Sequence, residues 1–518
     1  MNENQTDAEK TAKEIEHVGK LIVSARELRE KLQQDPHRPM YHLMGPEDYN
    51  CAFDPHGLIF WKGRYHIFYP FFPGGINYWG HISSTDLVHW HCHKTAIKIN
   101  PGDPEKHAFA GGAMVNRNGV PTLIYNGLEA GACVATCTDD KLENWTKSAA
   151  NPVIAIPKEG SPEFGKYVMW DLCGWVDGNF HYCLSGGNAK EDGDVGWLFR
   201  SPDLVHWEFL HKFYKSDRKW TGPEEDCSCP DFFPIGKKHM LMFISHARGC
   251  QYYIGRYENE TFYPEKHGRM NWPGGSFFAQ ESLVDDKGRR IMWAWVPDQR
   301  TRQRILLSGW AGIYSLPRVL SLAEDDTLMI DPPEELKILR YDHRQHENVR
   351  LAADSELLLK DINGDGIELS LDVDVSAARE FGVKVRCSPD GQEQTSIVFD
   401  QVAKTLRVDT TRTTISKEVA QPFPHTYMSF YSDKPISDGR EDVRVQVAPF
   451  ELKKGETLKL RIFLDRSIIE VFANSRQCVT QRIYPDRTDS LGVAIFSRGG
   501  TVMVRQLDAW KMNPSNPW

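Results

Sequence analysis

One seven-residue string occurs twice in the chain. Ser84-Thr-Asp-Leu-Val-His-Trp90 returns almost unchanged as Ser201-Pro-Asp-Leu-Val-His-Trp207, with a looser copy, Cys137-Thr-Asp-Asp-Lys-Leu-Glu-Asn-Trp145, between them. The tryptophans stand 55 and then 62 positions apart. A period of that size, with several strand-like runs in each unit, is the pattern of propeller blades. Each copy follows a β-type run: Tyr78-Trp-Gly-His81, Ala132-Cys-Val-Ala135 or Gly196-Trp-Leu-Phe199. The three tryptophans are read as blade-edge packing, with no part in chemistry. Two more units are marked by Tyr252-Tyr-Ile-Gly-Arg-Tyr257 and Arg290-Ile-Met-Trp-Ala-Trp-Val296. Roughly 300 residues at about 60 per unit predict five blades. In such a fold the first strand of each blade lines a central funnel, where carboxylates distant in sequence can meet.

The flanks of this region read differently. Over residues 7–34, Val18, Leu21, Ala25, Leu28 and Leu32 recur at steps of three and four, which predicts an amphipathic helix ending at Asp35-Pro36. We expect it to pack on the body of the protein; self-association through its stripe is the alternative. From about 345 onward the runs alternate strictly, as in Leu458-Lys-Leu-Arg-Ile-Phe-Leu464 and Ser467-Ile-Ile-Glu-Val-Phe472, which predicts a β-sandwich. The expected division is a helical extension over 1–36, a propeller over 37–335 and a sandwich over 345–518, so the fold class is all-β. Asp331-Pro-Pro-Glu-Glu marks the exit from the propeller, and Asp361-Ile-Asn-Gly-Asp-Gly366 reads as a plain turn.

Bulk properties exclude several partners. The net charge of −9 argues against nucleic acid. No apolar run reaches membrane-spanning length, and the first residues lack the basic and apolar regions of a signal peptide, so a cytoplasmic location is expected. Eleven scattered cysteines form no disulfide framework, and Cys227-x-Cys229 is too tightly spaced for an ordinary zinc site. We expect no metal at that pair.

One stretch places a carboxylate well for chemistry. Asp54 precedes a Pro-x-Gly turn, and the runs 58–61 and 65–69 flank Lys62-Gly63 as a hairpin. Asp54 therefore sits at a strand end, where a rigid sheet can aim it into a cavity.

The chain resembles glycoside hydrolase family 32, the invertases and fructan hydrolases. The resemblance rests on Tyr41-His42, Asp54-Pro-x-Gly-Leu58, Gly63-x-Tyr-His-x-Phe-Tyr69, Trp79-Gly-His81, Trp170-Asp-Leu172, Cys229-Pro-Asp-Phe232, Leu464-Asp-Arg-Ser467 and Glu470-Val-Phe472. It covers about 37–512 and implies a five-bladed propeller followed by a sandwich. It also implies retaining hydrolysis of a β-fructofuranoside or related furanoside, with no cofactor and a small-molecule or oligosaccharide substrate. Asp54 would be the nucleophile and Asp171 the stabiliser of the oxocarbenium-like transition state. A third carboxylic acid should stand directly before Cys229, but Ser228 occupies that place. Glu225 is the preferred replacement, reaching inward through a bulge, and Asp226 is the alternative. Asp231 is expected to support the site by hydrogen bonding. His56, Trp79, Phe109, Gly111, Trp170 and Trp295 are expected to contact the sugar.

Several further positions depart from the family pattern: Phe53 for Asn, Pro70 for Gln, Phe109-Ala-Gly-Gly112 for Phe-Ser-Gly-Ser, and Trp170 for Arg. Losing polar partners for hydroxyls should change the substrate. Sugar transfer, and sugar binding after loss of the acid, are the alternatives.

Overall fold

The computed structural model describes residues 7–45, 54–189, 193–275, 277–416 and 443–516. The expected departure at Phe53 lies outside them. Nearly all regular structure is antiparallel sheet.

The repeated string is a turn whose residues satisfy its own backbone. Asp86 accepts from the N–H groups of Val88 and His89, Asp203 from Val205 and His206, and Asp139 from Lys141 and Glu143. The leucine of each copy, Leu87, Leu142 or Leu204, is buried with φ of 66°, 58° or 70°. That left-handed backbone is unusual for leucine, and apolar burial together with the aspartate bonds holds it. The indoles of Trp145 and Trp207 donate to the carbonyls of Leu142 and Leu204. These residues close the turn into the outermost strand, as their structural reading required.

Each turn ends a four-stranded path. The first sheet runs His56–Trp61, Arg64–Phe71, Tyr78–Ser84 and Trp90–Cys92. Four more such paths begin at Ala108–Val115, Leu172–Asp177, Ser228–Ile235 and Phe278–Val284. Each of these first strands neighbours the next, and the fifth returns to the first. In the opening hairpin Trp61 pairs with Arg64, and both turn residues have positive φ, 48° at Lys62 and 76° at Gly63. That primed turn matches the natural twist of a two-stranded ribbon.

Two six-stranded sheets follow. One contains Arg340–Leu351, Val502–Met512, Gly366–Asp374, Leu458–Asp465, Ile468–Ala473 and Gln477–Arg482. The other contains Glu356–Asn363, Gly492–Arg498, Glu380–Cys387, Thr395–Asp400, Thr405–Asp409 and Val445–Pro449. Their facing apolar residues form one core.

Buried polar groups tie this unit to the ring of sheets. Asp465 accepts the backbone N–H groups of Met40, Tyr41 and His42, and His42 Nδ1 lies 3.0 Å from it. Glu470 accepts from Leu316 N at 2.9 Å and from Arg318 at 3.1 Å. Both carboxylates belong to the C-terminal motif noted in the sequence. They act as clamps between the two parts of the chain.

The N-terminal helix spans Asp7–Gln33, close to its expected bounds. Its packing departs from expectation. Leu32 is buried and Leu28 touches the core, but Ile15, Val18, Leu21 and Ile22 are exposed. Only the last turns dock. No helix among the described residues is long and apolar enough to cross a membrane.

Candidate active site

The first strands converge on a cavity of about 280 Å³. Asp54, Asp171, Cys229 and His246 supply its reactive groups, and Pro70, Phe72, Phe109, Ile244, Phe278 and Trp295 make most of its wall. The chain enters through Gly57, at φ 55°. A Cβ there would come within 2.9 Å of Leu123 and 3.1 Å of Phe68, so only glycine fits this turn.

The two aligned aspartates share one neighbour. Cys229 donates its backbone N–H to Asp171 Oδ2 at 2.9 Å. Its Sγ lies 3.5 Å from the same oxygen and 3.9 Å from Asp54 Oδ2. Burial and the two carboxylates push the thiol well above its ordinary pKa, so it remains an S–H donor. Burial, followed by the charge of Asp171, pushes Asp54 up to about 7. Burial also raises Asp171. Among the described residues lining the cavity there is no Lys or Arg. The carboxyls are thus held by weak donors and by one imidazole, and burial outweighs those donors.

That imidazole is His246. Its Nδ1 lies 2.6 Å from Asp226 Oδ2, and its backbone N–H donates to Asp226 Oδ1 at 2.8 Å. Ser228 donates its hydroxyl to Asp226 Oδ2 at 2.6 Å. Burial alone would lower the His246 pKa; the bond to Asp226 and the charges of Asp226, Asp171 and Asp54 outweigh it and raise the value. The ring is half-buried and lines the cavity.

The expected acid positions look elsewhere. Glu225 faces Arg269, which reaches both its oxygens at 3.2–3.3 Å, and it accepts from Gln251 at 3.0 Å. Burial opposes ionisation there, but Arg269 overcomes it and the pKa is lowered. Asp226 is likewise lowered, with His246 overcoming burial. Neither carboxylate lines the cavity, and each is held as an anion. Asp231 lies behind the site, accepting from Ser282 at 2.6 Å, and burial pushes it up to about 6.

Of the expected sugar contacts, His56, Phe109, Trp170 and Trp295 line the cavity. His56 is buried, which drops its pKa to about 3 and keeps it neutral. Trp79 is fully buried behind His56, with ring centroids 4.9 Å apart. A Cβ on Gly111 would fall 2.1 Å from the Ile124 carbonyl oxygen, so this glycine permits close strand packing. Neither Trp79 nor Gly111 lines the cavity.

Sequence reasoning missed Asn77, Cys229 and His246. Asn77 Oδ1 is buried at the cavity without a protein partner. His246 follows the apolar strand Lys238–Ser245 with no motif around it. The one available signal was Ser228, which left the site without an acid and called for a proton donor from elsewhere.

The model described as glycosyl hydrolases family 32 N-terminal domain matches residues 42–332, and that of the family's C terminal matches 335–511. A sucrose-6-phosphate hydrolase of Zymomonas mobilis is 28% identical over 501 residues, covering 89% of this chain and 90% of the relative. A levanase of Bacillus subtilis is 28% identical, covering 91% of this chain and 70% of the relative. The crystal structure of fructan 1-exohydrolase IIa from Cichorium intybus superposes with a TM-score of 0.79 at 24% identity, covering 93% of this chain and 98% of that one.

Proposed function

Because the chain belongs to glycosyl hydrolase family 32, we propose that it is a retaining glycosidase of β-fructofuranosides in which His246 supplies the proton. The observation that carries this reading is the meeting of Asp54, Asp171 and His246 on one cavity, with Asp226 bonded to the imidazole from behind.

The steps follow from the placement of the groups. Asp54, ionised, attacks the anomeric carbon of the fructosyl unit. The His246 imidazolium gives its proton to the departing glycosidic oxygen, and a covalent fructosyl–Asp54 ester forms. The leaving alcohol departs and water enters. Neutral His246 then takes a proton from that water as it attacks the same carbon, which frees Asp54 and fructose. Asp226 orients the imidazole and stabilises its charged form, as a carboxylate does for a histidine base elsewhere. Asp171 steadies the positive sugar ring and its hydroxyls. Asn77 Oδ1 is an acceptor for a sugar hydroxyl.

The wall composition narrows the substrate. A phosphorylated sugar calls for a basic partner, and the described lining offers no Lys or Arg. Aromatic and proline faces suit a neutral fructoside, in place of the polar contacts missing from the motifs. The similar proteins include a sucrose-6-phosphate hydrolase and a levanase, which favours hydrolysis over transfer or binding alone.

The five successive sheets are the blades of one propeller over 37–335, supported by the ring of first strands. The helical extension is 1–36. The sandwich is 345–518, and its first strand already begins at Arg340.

The experiment is product chromatography with sucrose and with inulin- and levan-type oligosaccharides, comparing the parent with Asp54→Ala. The parent should release fructose, and the variant should lose on the order of 10⁴-fold in rate or more. An unchanged rate in the variant contradicts the nucleophile assignment.

A further inference from the structure

Three imidazoles meet inside the first sheet, outside the residues that line the cavity. His66 and His81 come from the paired strands Arg64–Phe71 and Tyr78–Ser84. His93 follows the outermost strand, and its backbone N–H donates to the His81 carbonyl at 2.9 Å. One ring nitrogen from each histidine lies within 4.8 Å of the others. His66 Nδ1 and His81 Nε2 are 2.8 Å apart. The His81 ring stacks on His93 at 4.2 Å.

The protons of this cluster follow from its bonds. His93 Nδ1 lies 3.0 Å from Glu143 Oε1, so it donates there. His93 Nε2 then carries a lone pair, met by the Ser83 hydroxyl at 2.6 Å, while the Ser83 oxygen accepts from Arg64 Nε at 3.0 Å. A carboxylate on the far nitrogen is the arrangement that orients metal-binding histidines. Between His66 and His81, two neutral rings at 2.8 Å hold a single proton. Their outer nitrogens, His66 Nε2 and His81 Nδ1, are buried without a partner.

We propose that His66, His81 and His93 form a site for one divalent transition-metal ion of the zinc class. Three imidazoles favour zinc, copper or nickel over calcium or magnesium, which require oxygen. The ion takes the lone pairs of His66 Nδ1, His81 Nε2 and His93 Nε2, and each ring keeps its proton on the other nitrogen. Zinc–nitrogen bonds of about 2.0–2.1 Å place tetrahedral ligands about 3.3 Å apart; His81 and His93, now stacked only 17° from parallel, must turn out of that stack to aim both lone pairs at one ion. Glu143 supplies compensating charge against Arg64. The ion would staple three strands of the first sheet.

The test uses untagged full-length protein stripped with chelator, titrated with zinc by calorimetry and with cobalt(II) by visible absorption. The parent should take up one tight ion per chain, and its cobalt form should show the intense bands of a tetrahedral nitrogen site. His93→Gln should abolish that site and leave fructoside turnover unchanged. Glu143→Gln, at a half-exposed residue, should weaken binding by about 10–100-fold and serves if His93→Gln does not fold. Absence of a tight site in the parent, or equal binding by parent and variants, overturns the proposal.

Discussion

Two sets of buried carboxylates in this molecule have opposite fates. At the junction with the sandwich, Glu470 accepts from Arg318 and from a backbone N–H, while Asp298 is gripped by Arg300. Burial opposes both charges, yet the arginines win and both pKa values fall. In the cavity, Asp171 is buried and Asp54 half-buried beside a thiol, one backbone N–H and one imidazole, and both values rise. The difference lies in the partners: burial with matched cations makes a clamp, and burial without them makes a group whose charge the protein barely tolerates. Such groups react, or gain a proton, when chemistry requires it.

Removing a cation from the clamp gives the largest expected effect on stability. Arg318→Met strands Glu470 in the core and should cost about 3–5 kcal/mol, read by urea denaturation. A cost near zero would mean that the clamp and the cavity do not differ as described.

The reverse holds in the cavity. With Asp54 at about 7 in the fold and about 3.9 unfolded, the folded state binds the extra proton between those values. Stability therefore falls as pH rises from about 4 to 7, and the full cost persists above 7. Asp54→Asn removes that cost. It should match the parent near pH 4 and be more stable by up to about 4 kcal/mol at pH 8, measured by urea denaturation at both values. A variant less stable than the parent at pH 8 would place Asp54 with the clamps.

A smaller effect sharpens the assignment of His246. Turnover needs Asp54 ionised and His246 protonated, so the pH–rate profile should be a bell whose acid limb lies near 7 for the free enzyme. Asp226 raises His246, so Asp226→Asn should move the basic limb to lower pH. A fixed basic limb would remove His246 from the proton transfer.

Much of the architecture was legible because its signals are local. The Asp-Leu-Val-His-Trp repeat encodes a complete turn, and its spacing marks successive sheets. Asp54 and Asp171 were legible because strand ends and motif order fix them. The imidazole proposed as proton donor was not. Glu225 and Asp226 had the right chemical type near Ser228, but Arg269 claims the first and His246 the second, and a sequence does not display such long-range partners. Trp79 and Gly111 failed as sugar contacts for a related reason, since packing against His56 and Ile124 decides their place. The helix period was correct, but whether a stripe finds a partner depends on surfaces distant in sequence. His66, His81 and His93 follow no metal-ligand spacing, so strand pairing brings them together.

The central claim is that the Asp226–His246 pair replaces a carboxylic acid. Its most direct test is His246→Gln assayed on sucrose and on an activated aryl fructoside, with and without azide. The account predicts a loss of about 10²–10⁴-fold on sucrose, a much smaller loss in fructosyl-enzyme formation from the aryl substrate, and faster aryl turnover with azide as fructosyl azide forms. Equal losses on both substrates with no azide product would contradict it.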